Sequence, residues 1–474
     1  MAEFLNPILN GDYADPSILR HGRDYYLTCS SSYKFEPALK ILHSTDLVHW
    51  KTLCSALKKS SGIAAPELAY VNDTYYIYYP ADGTNYVVTA KDPAGPWSEP
   101  IDLHIARIDP GHVVGPDGTR YLYLDDGWAV RLAPDGLSVE EDLGRLYEGW
   151  DYPAEYHTEG KFLESPKLCR RGDYYYLVCA EGGTAGPASA HMCIVARSKS
   201  PLGPWENMPS NPLIHTWSRK EKWWCKGHGT LFEAADGRWY IIYHAYEKGY
   251  LNHGRKTLMQ PIEWTDDGWP YVPEAFPADQ PQIYEPAESS ETDDFCDDFA
   301  NGAVRPYWSF FGEYDPGRLS AAQDGGLRVK CKGDSIENCS PMVIPNGYRS
   351  YTVEVDITLE GNAQGGLTLF YDEEHYCGIG LGSSGIQLYK YGRPYVRIPT
   401  TFRQMTLKLT NEEHEVSYAY RTKGSEWQLI DFCCEVSGIN HNTLNGYLSL
   451  RPGLFACGNG TVCFKNFRYE PLLS

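Results

Sequence analysis

The chain has 474 residues, and its 62 acidic against 42 basic residues give a formal charge of −20. That balance argues against nucleic acid or an anionic membrane as partner and suits a neutral or cationic substrate. No run approaches about 18 uninterrupted apolar residues, and the start MAEFLNPILNGDYADP lacks a basic segment ahead of an apolar one, so a soluble cytoplasmic protein is expected. Fourteen cysteines show neither a C-x-x-C pair nor zinc-ligand spacing; Cys29 and Cys179 sit in strand-like runs, which reads as buried free thiols in a reducing compartment.

In chain order, the first punctuated stretch is GDYADPSI (11–18), where Asp15 precedes Pro16 and is expected in extended backbone at a strand mouth. A repeat then sets in, a polar turn followed by paired aromatics: GRDYYLTCSSS (22–32), NDTYYIYYPADG (72–83), GTRYLYLDDG (118–127), GDYYYLVCAEGG (172–183) and GRWYIIYHAYEKG (237–249). Its aligned tyrosines, Tyr26, Tyr76, Tyr121, Tyr176 and Tyr240, are spaced 50, 45, 55 and 64 residues apart. Such a period of short strands and turns predicts an all-β, five-bladed propeller over residues 1–277. A second echo, in HSTDLVHWKTL, AKDPAGPWSEP and ARSKSPLGPWENMP, reads as the turn between outer strands. The proline- and acid-rich stretch 278–298 predicts a linker or wrap-around strand, and alternating runs from 299 to 474, such as YTVEVDITLEG and QMTLKLTNE, predict an antiparallel sandwich.

Blades grow outward from a central channel, so the segment 11 or 12 residues before each aligned tyrosine is the innermost strand. There stand Asp15 (ADPS), the AAPE stretch 64–67, Asp109 (IDPG), Glu164 (LESPK) and His228 (KGHGT). Singly these acids read as turn residues. Together they converge on one end of one channel, where like charges drive their pKa values apart. Two such carboxyls, one protonated and one ionised, are the apparatus of glycosidic bond hydrolysis.

With GRKTLMQPIEW (254–264), these motifs make residues 6 to about 275 resemble glycoside hydrolase family 43, five-bladed propellers that include β-xylosidases and α-L-arabinofuranosidases. The resemblance implies Asp15 as general base, Glu164 as general acid and Asp109 as the residue that orients the acid and raises its pKa. It implies inversion, with Asp15 and Glu164 ~6.5–9.5 Å apart. It further implies that Arg255 binds sugar hydroxyls, that Phe35 in SYKFEP forms a platform under the sugar, and that His228 lies near the channel centre, in contact with substrate and a possible ligand of Ca2+ or Na+. Many members carry tryptophan in G-x-W-A-P; here Gly62-Ile63-Ala64-Ala65-Pro66 leaves that wall to another residue, with Trp150, Tyr152 and Trp217 as candidates. The C-terminal part resembles the sandwich, a concanavalin-like jelly roll, attached to several exo-acting members, some of which use it to close the active-site rim, with an independent carbohydrate-binding module as the rival reading; Phe310 and Phe311 are expected in the core, with reaching into the site as the alternative.

The expected activity is therefore an inverting exo-glycosidase removing terminal arabinofuranosyl or xylosyl residues from arabinoxylan fragments, with no organic cofactor. Galactan or arabinan hydrolysis, and a non-catalytic sugar-binding propeller, are the alternatives. A fructosidase would need N-D-P-N and E-C motifs where ADPS and ESP stand.

Overall fold

The computed structural model describes residues 2–30, 34–59, 62–287, 291–323 and 325–472. The repeat folds as five antiparallel sheets arranged as a propeller. The innermost strands are Ser17–His21, Glu67–Val71, Gly111–Val114, Leu163–Arg171 and Trp223–Glu233, and each touches its neighbours around the axis. The aligned tyrosines all fall on the second strands, and the polar turn before them is the hairpin joining first strand to second. Gly22, Gly118, Gly172 and Gly237 take positive φ in that hairpin, and blade 2 uses Asn72 and Asp73, the residues that best tolerate the same conformation.

Five apolar cores hold the ring, one between each pair of adjacent blades. The paired aromatics feed them: Tyr76 and Tyr78 pack between blades 2 and 3, Tyr175 and Leu177 between 3 and 4, and Tyr240 and Ile242 between 5 and 1. The chain start closes the ring, since Ala2–Phe4 pairs with Gln282–Tyr284 inside the stretch expected to link the domains.

The C-terminal part is a concanavalin-like sandwich built around the long antiparallel pair Tyr351–Phe370 and Arg451–Pro471. It is joined to the propeller by more than the linker. Phe35–Glu36, from blade 1, adds to the edge of the sandwich strand Ser309–Phe311. Arg451 pairs with Asp12 at 3.3 Å, Arg349 with Glu247 at 2.7 Å, and the Lys256 ammonium donates to the Gly347 carbonyl at 2.6 Å.

Candidate active site

Each inner strand carries a residue in left-handed backbone at an equivalent place, just ahead of the strand for Asp15 (φ 55°), Ala65 (35°) and Asp109 (58°) and within it for Ser165 (51°) and His228 (52°). Asp15 is therefore not extended, as its proline had suggested. A residue with a Cβ spends on the order of 1–3 kcal/mol in this region, and five equivalent positions do so. At three of them the side chain, Asp15, Asp109 or His228, enters the shared site. Glu164 is one residue out of this register. A bulge between Glu164 and Lys167 places an extra residue opposite Ala180–Val178, so Ser165 takes the left-handed position and Glu164 precedes it.

The structure brings Asp15, Asp109, Glu164, His228 and Arg255 together. Asp15 is 4% exposed. Its Oδ1 lies 2.9 Å from the Arg255 guanidinium, 2.9 Å from His244 Nδ1 and 3.2 Å from His228 Nδ1, and its Oδ2 accepts from the Ser30 hydroxyl at 2.5 Å. Ser30 is itself fixed by the Ala65 N–H at 2.7 Å. Burial opposes ionisation of Asp15, but Arg255, then His228 and His244, outweigh it and hold the carboxyl well below the usual carboxylate range. Asp109 behaves in the opposite way. Burial, together with the charges of Glu164 and Asp15, pushes it up to about 7 against the pull of His228 and of the Ser165 N–H that it accepts at 3.0 Å. The site thus holds one firmly ionised carboxylate and, around Asp109, a carboxyl that retains a proton to near neutrality.

The His228 ring spans the gap between the two ends of the site, with Nδ1 on Asp15 and Nε2 3.9 Å from Glu164 Oε2. The separation of the two carboxylates cannot exceed these contacts plus the ring's width, at or below the upper end of the ~6.5–9.5 Å used for inversion. Glu164, with its side chain 24% exposed, faces the opening, whereas Asp15 sits at the floor.

Residues 4–270 match the model for glycosyl hydrolases family 43, and residues 296–470 match the β-xylosidase C-terminal concanavalin A-like domain. The chain belongs to glycosyl hydrolases family 43. Among curated relatives, a non-reducing end α-L-arabinofuranosidase of Bacteroides ovatus is 27% identical, with 96% of this chain and 92% of the relative covered. A xylosidase/arabinosidase of Butyrivibrio fibrisolvens is 29% identical, with 96% of both chains covered. The crystal structure of a xylan β-1,4-xylosidase from Bacillus halodurans superposes with a TM-score of 0.86 at 26% identity, covering 98% of this chain and 99% of that one.

One assignment for this family 43 chain changes. Phe35 does not underlie the pocket: it is 3% exposed in the sandwich core, edge-on to Phe311 at 5.3 Å and capped by the Arg451 guanidinium at 4.1 Å, because its segment pairs with the sandwich. Phe310 and Phe311 are core residues as well. The sandwich instead sends Tyr447 to the site. Its ring stacks on His441, lies 5.3 Å from the Arg255 guanidinium, and has its hydroxyl pKa raised by burial and by the charges of Glu159, Glu164 and Asp15. Trp150, Tyr152 and Trp217 form an aromatic ridge with Tyr156 and His215, Trp217 being 66% exposed.

Sequence reasoning also missed His191, His244, Ser30 and Thr184. His244 and Ser30 each stand four residues after an aligned tyrosine and both bind Asp15, so extending the self-alignment along the second strands would have found them. Thr184 bonds the far nitrogen of His244 at 3.0 Å. Neither ring nitrogen of His191 has a hydrogen-bond partner among the described residues, and Nε2 points within 4.0 Å of Glu164. Two ligand groups arise: Asp15, His228 and His244, and Glu164, His191 and His228. This buried cluster could hold a metal ion. Each group offers two imidazole nitrogens and one carboxylate oxygen, a set that suits a borderline divalent cation better than oxygen-seeking Ca2+ or Na+.

Proposed function

We propose that the protein is an inverting exo-glycosidase that hydrolyses terminal pentosyl residues, α-L-arabinofuranosyl or β-D-xylosyl, from arabinoxylan-derived oligosaccharides. The observation that carries the reading is the split between Asp15, held ionised by Arg255 and the histidines beside it, and Asp109, pushed up to about 7 next to Glu164. The activities of the relatives in Bacteroides ovatus and Butyrivibrio fibrisolvens support the sugar class.

In this reading Asp15 removes a proton from water as the water oxygen bonds to the anomeric carbon. Glu164 donates its proton to the glycosidic oxygen as the bond to the leaving sugar breaks. The sugar gains the hydroxyl, the leaving group gains the proton, and Glu164 is recharged through its exposed side. Asp109 holds the Ser165 N–H and so fixes the backbone next to Glu164. Arg255 and the histidines keep the base ionised. Tyr447, reaching from the sandwich to 5.3 Å from the Arg255 guanidinium, supports exo action. A Ca2+ or Na+ ion at His228 would draw most of its oxygen shell from water, and no step depends on it. A cytoplasmic location is supported by the fourteen unpaired thiols.

Asp15→Asn and Glu164→Gln test the assignment. Each is expected to lower kcat on aryl pentosides by about 10²–10⁴-fold with the fold intact by circular dichroism. Retention of most activity in both variants would remove the base and acid from these residues.

A further inference from the structure

The repeat supplies a second ring beneath the catalytic one. Two residues after each left-handed position stand Ser17, Glu67, Gly111, Lys167 and Thr230. These positions link across the channel. Thr230 Oγ1 donates to the Pro16 carbonyl at 2.9 Å, and Ser17 Oγ donates to Glu67 Oε2 at 2.9 Å. Glu67 also accepts from the His112 N–H at 3.3 Å and from the Lys167 ammonium at 2.7 Å. The same ammonium donates to the Pro66 carbonyl at 3.1 Å and the Pro110 carbonyl at 3.0 Å. Gly111 completes the tier by having no side chain: a Cβ there would lie 1.5 Å from the Pro166 carbonyl oxygen, so blades 3 and 4 meet backbone to backbone where Lys167 crosses.

Lys167 is 3% exposed, and all three of its N–H groups are used. Two of the acceptors are the carbonyls of the prolines that directly follow Ala65 and Asp109. Gripping the Pro110 carbonyl fixes the Pro110–Gly111 peptide, one residue beyond Asp109, and so anchors the turn at Asp109, whose left-handed backbone has no steric preference to hold it there. The Asp109 carboxyl in turn accepts the Ser165 N–H beside Glu164. We infer that Lys167, paired with Glu67, is a positioning residue for the proton-donating half of the site, acting through the Pro110 carbonyl on Asp109 and through Asp109 on Glu164. This rests on the reading of Glu164 as general acid.

An aglycone series separates alignment of the acid from a general structural role. Lys167→Met leaves a buried carboxylate without its partner, so the doubly neutral Glu67→Gln/Lys167→Met is made alongside it. Both are assayed with Glu164→Gln on aryl pentosides from 2,4-dinitrophenyl to 4-methoxyphenyl. A good leaving group departs without protonation, a poor one does not. The expected result for both Lys167 variants is a kcat loss of about 100-fold on the poor leaving group and under about fivefold on the good one, parallel to Glu164→Gln. Equal losses across the series, wild-type rates throughout, or failure of both variants to fold would overturn the inference, the last by making the ring a requirement of the fold rather than of alignment. If Glu164→Gln itself shows no dependence on the leaving group, the acid assignment fails instead.

Discussion

Replacing Asp109 by asparagine is expected to stabilise the protein above neutral pH. Asp109 is 2% exposed, and its carboxyl is raised from 3.8 to about 7, by burial first and then by the charges of Glu164 and Asp15. Because the folded pKa lies above the unfolded one, the native state binds this proton more tightly. Its contribution to stability is whole below pH 3.8, declines as pH rises, and is gone above about 7. A rise of about three units corresponds to a ceiling of roughly 4 kcal/mol, which proton sharing within the carboxyl group reduces. Asparagine keeps an oxygen to accept the Ser165 N–H, now 3.0 Å away, and pays neither the desolvation of a charge nor the repulsion. Urea denaturation of wild type and Asp109→Asn at intervals from pH 5 to 9 measures the difference. The variant should gain on wild type up to about pH 7 and hold a constant advantage above it, while losing activity. Parallel stability curves for the two proteins would refute the assignment of a raised pKa to this carboxyl.

The same charge split governs turnover: kcat/KM on aryl pentosides should fall as pH rises through about 7, when the proton around Asp109 is lost, and should persist on the acid side well below the usual carboxylate range because Asp15 is held ionised. An acid limb in the ordinary carboxylate range would remove Asp15 as the base. Tyr447→Ala should raise KM roughly five- to tenfold, about 1–1.4 kcal/mol of lost contact, with kcat within about twofold. An unchanged KM with a lowered Tm would make Tyr447 a domain-packing residue only.

The blades were legible because each repeats a local signal, a turn followed by alternating aromatics, and that signal also carried Asp15, Asp109 and His228 to the axis. Glu164 was found in the right strand but the wrong register, since a bulge has no composition of its own. The backbone at Asp15 was misread because a proline rule describes local preference, and five interlocked strands override it. His191, Tyr447 and the packing of Phe35 were hidden for another reason. Their roles arise from contacts between blades or between domains, and neighbouring residues in the chain carry no trace of a partner 27–53 positions away, as for His191, or two hundred and more, as for Phe35.

Inversion is the claim on which the division of labour between Asp15 and Glu164 stands, and proton NMR of the first minutes of hydrolysis of an aryl β-D-xyloside tests it most directly. The account expects α-xylose to appear first and β-xylose only later, by mutarotation. β-Xylose as the first product would mean a covalent intermediate, and a nucleophile where Asp15 is assigned to activate water.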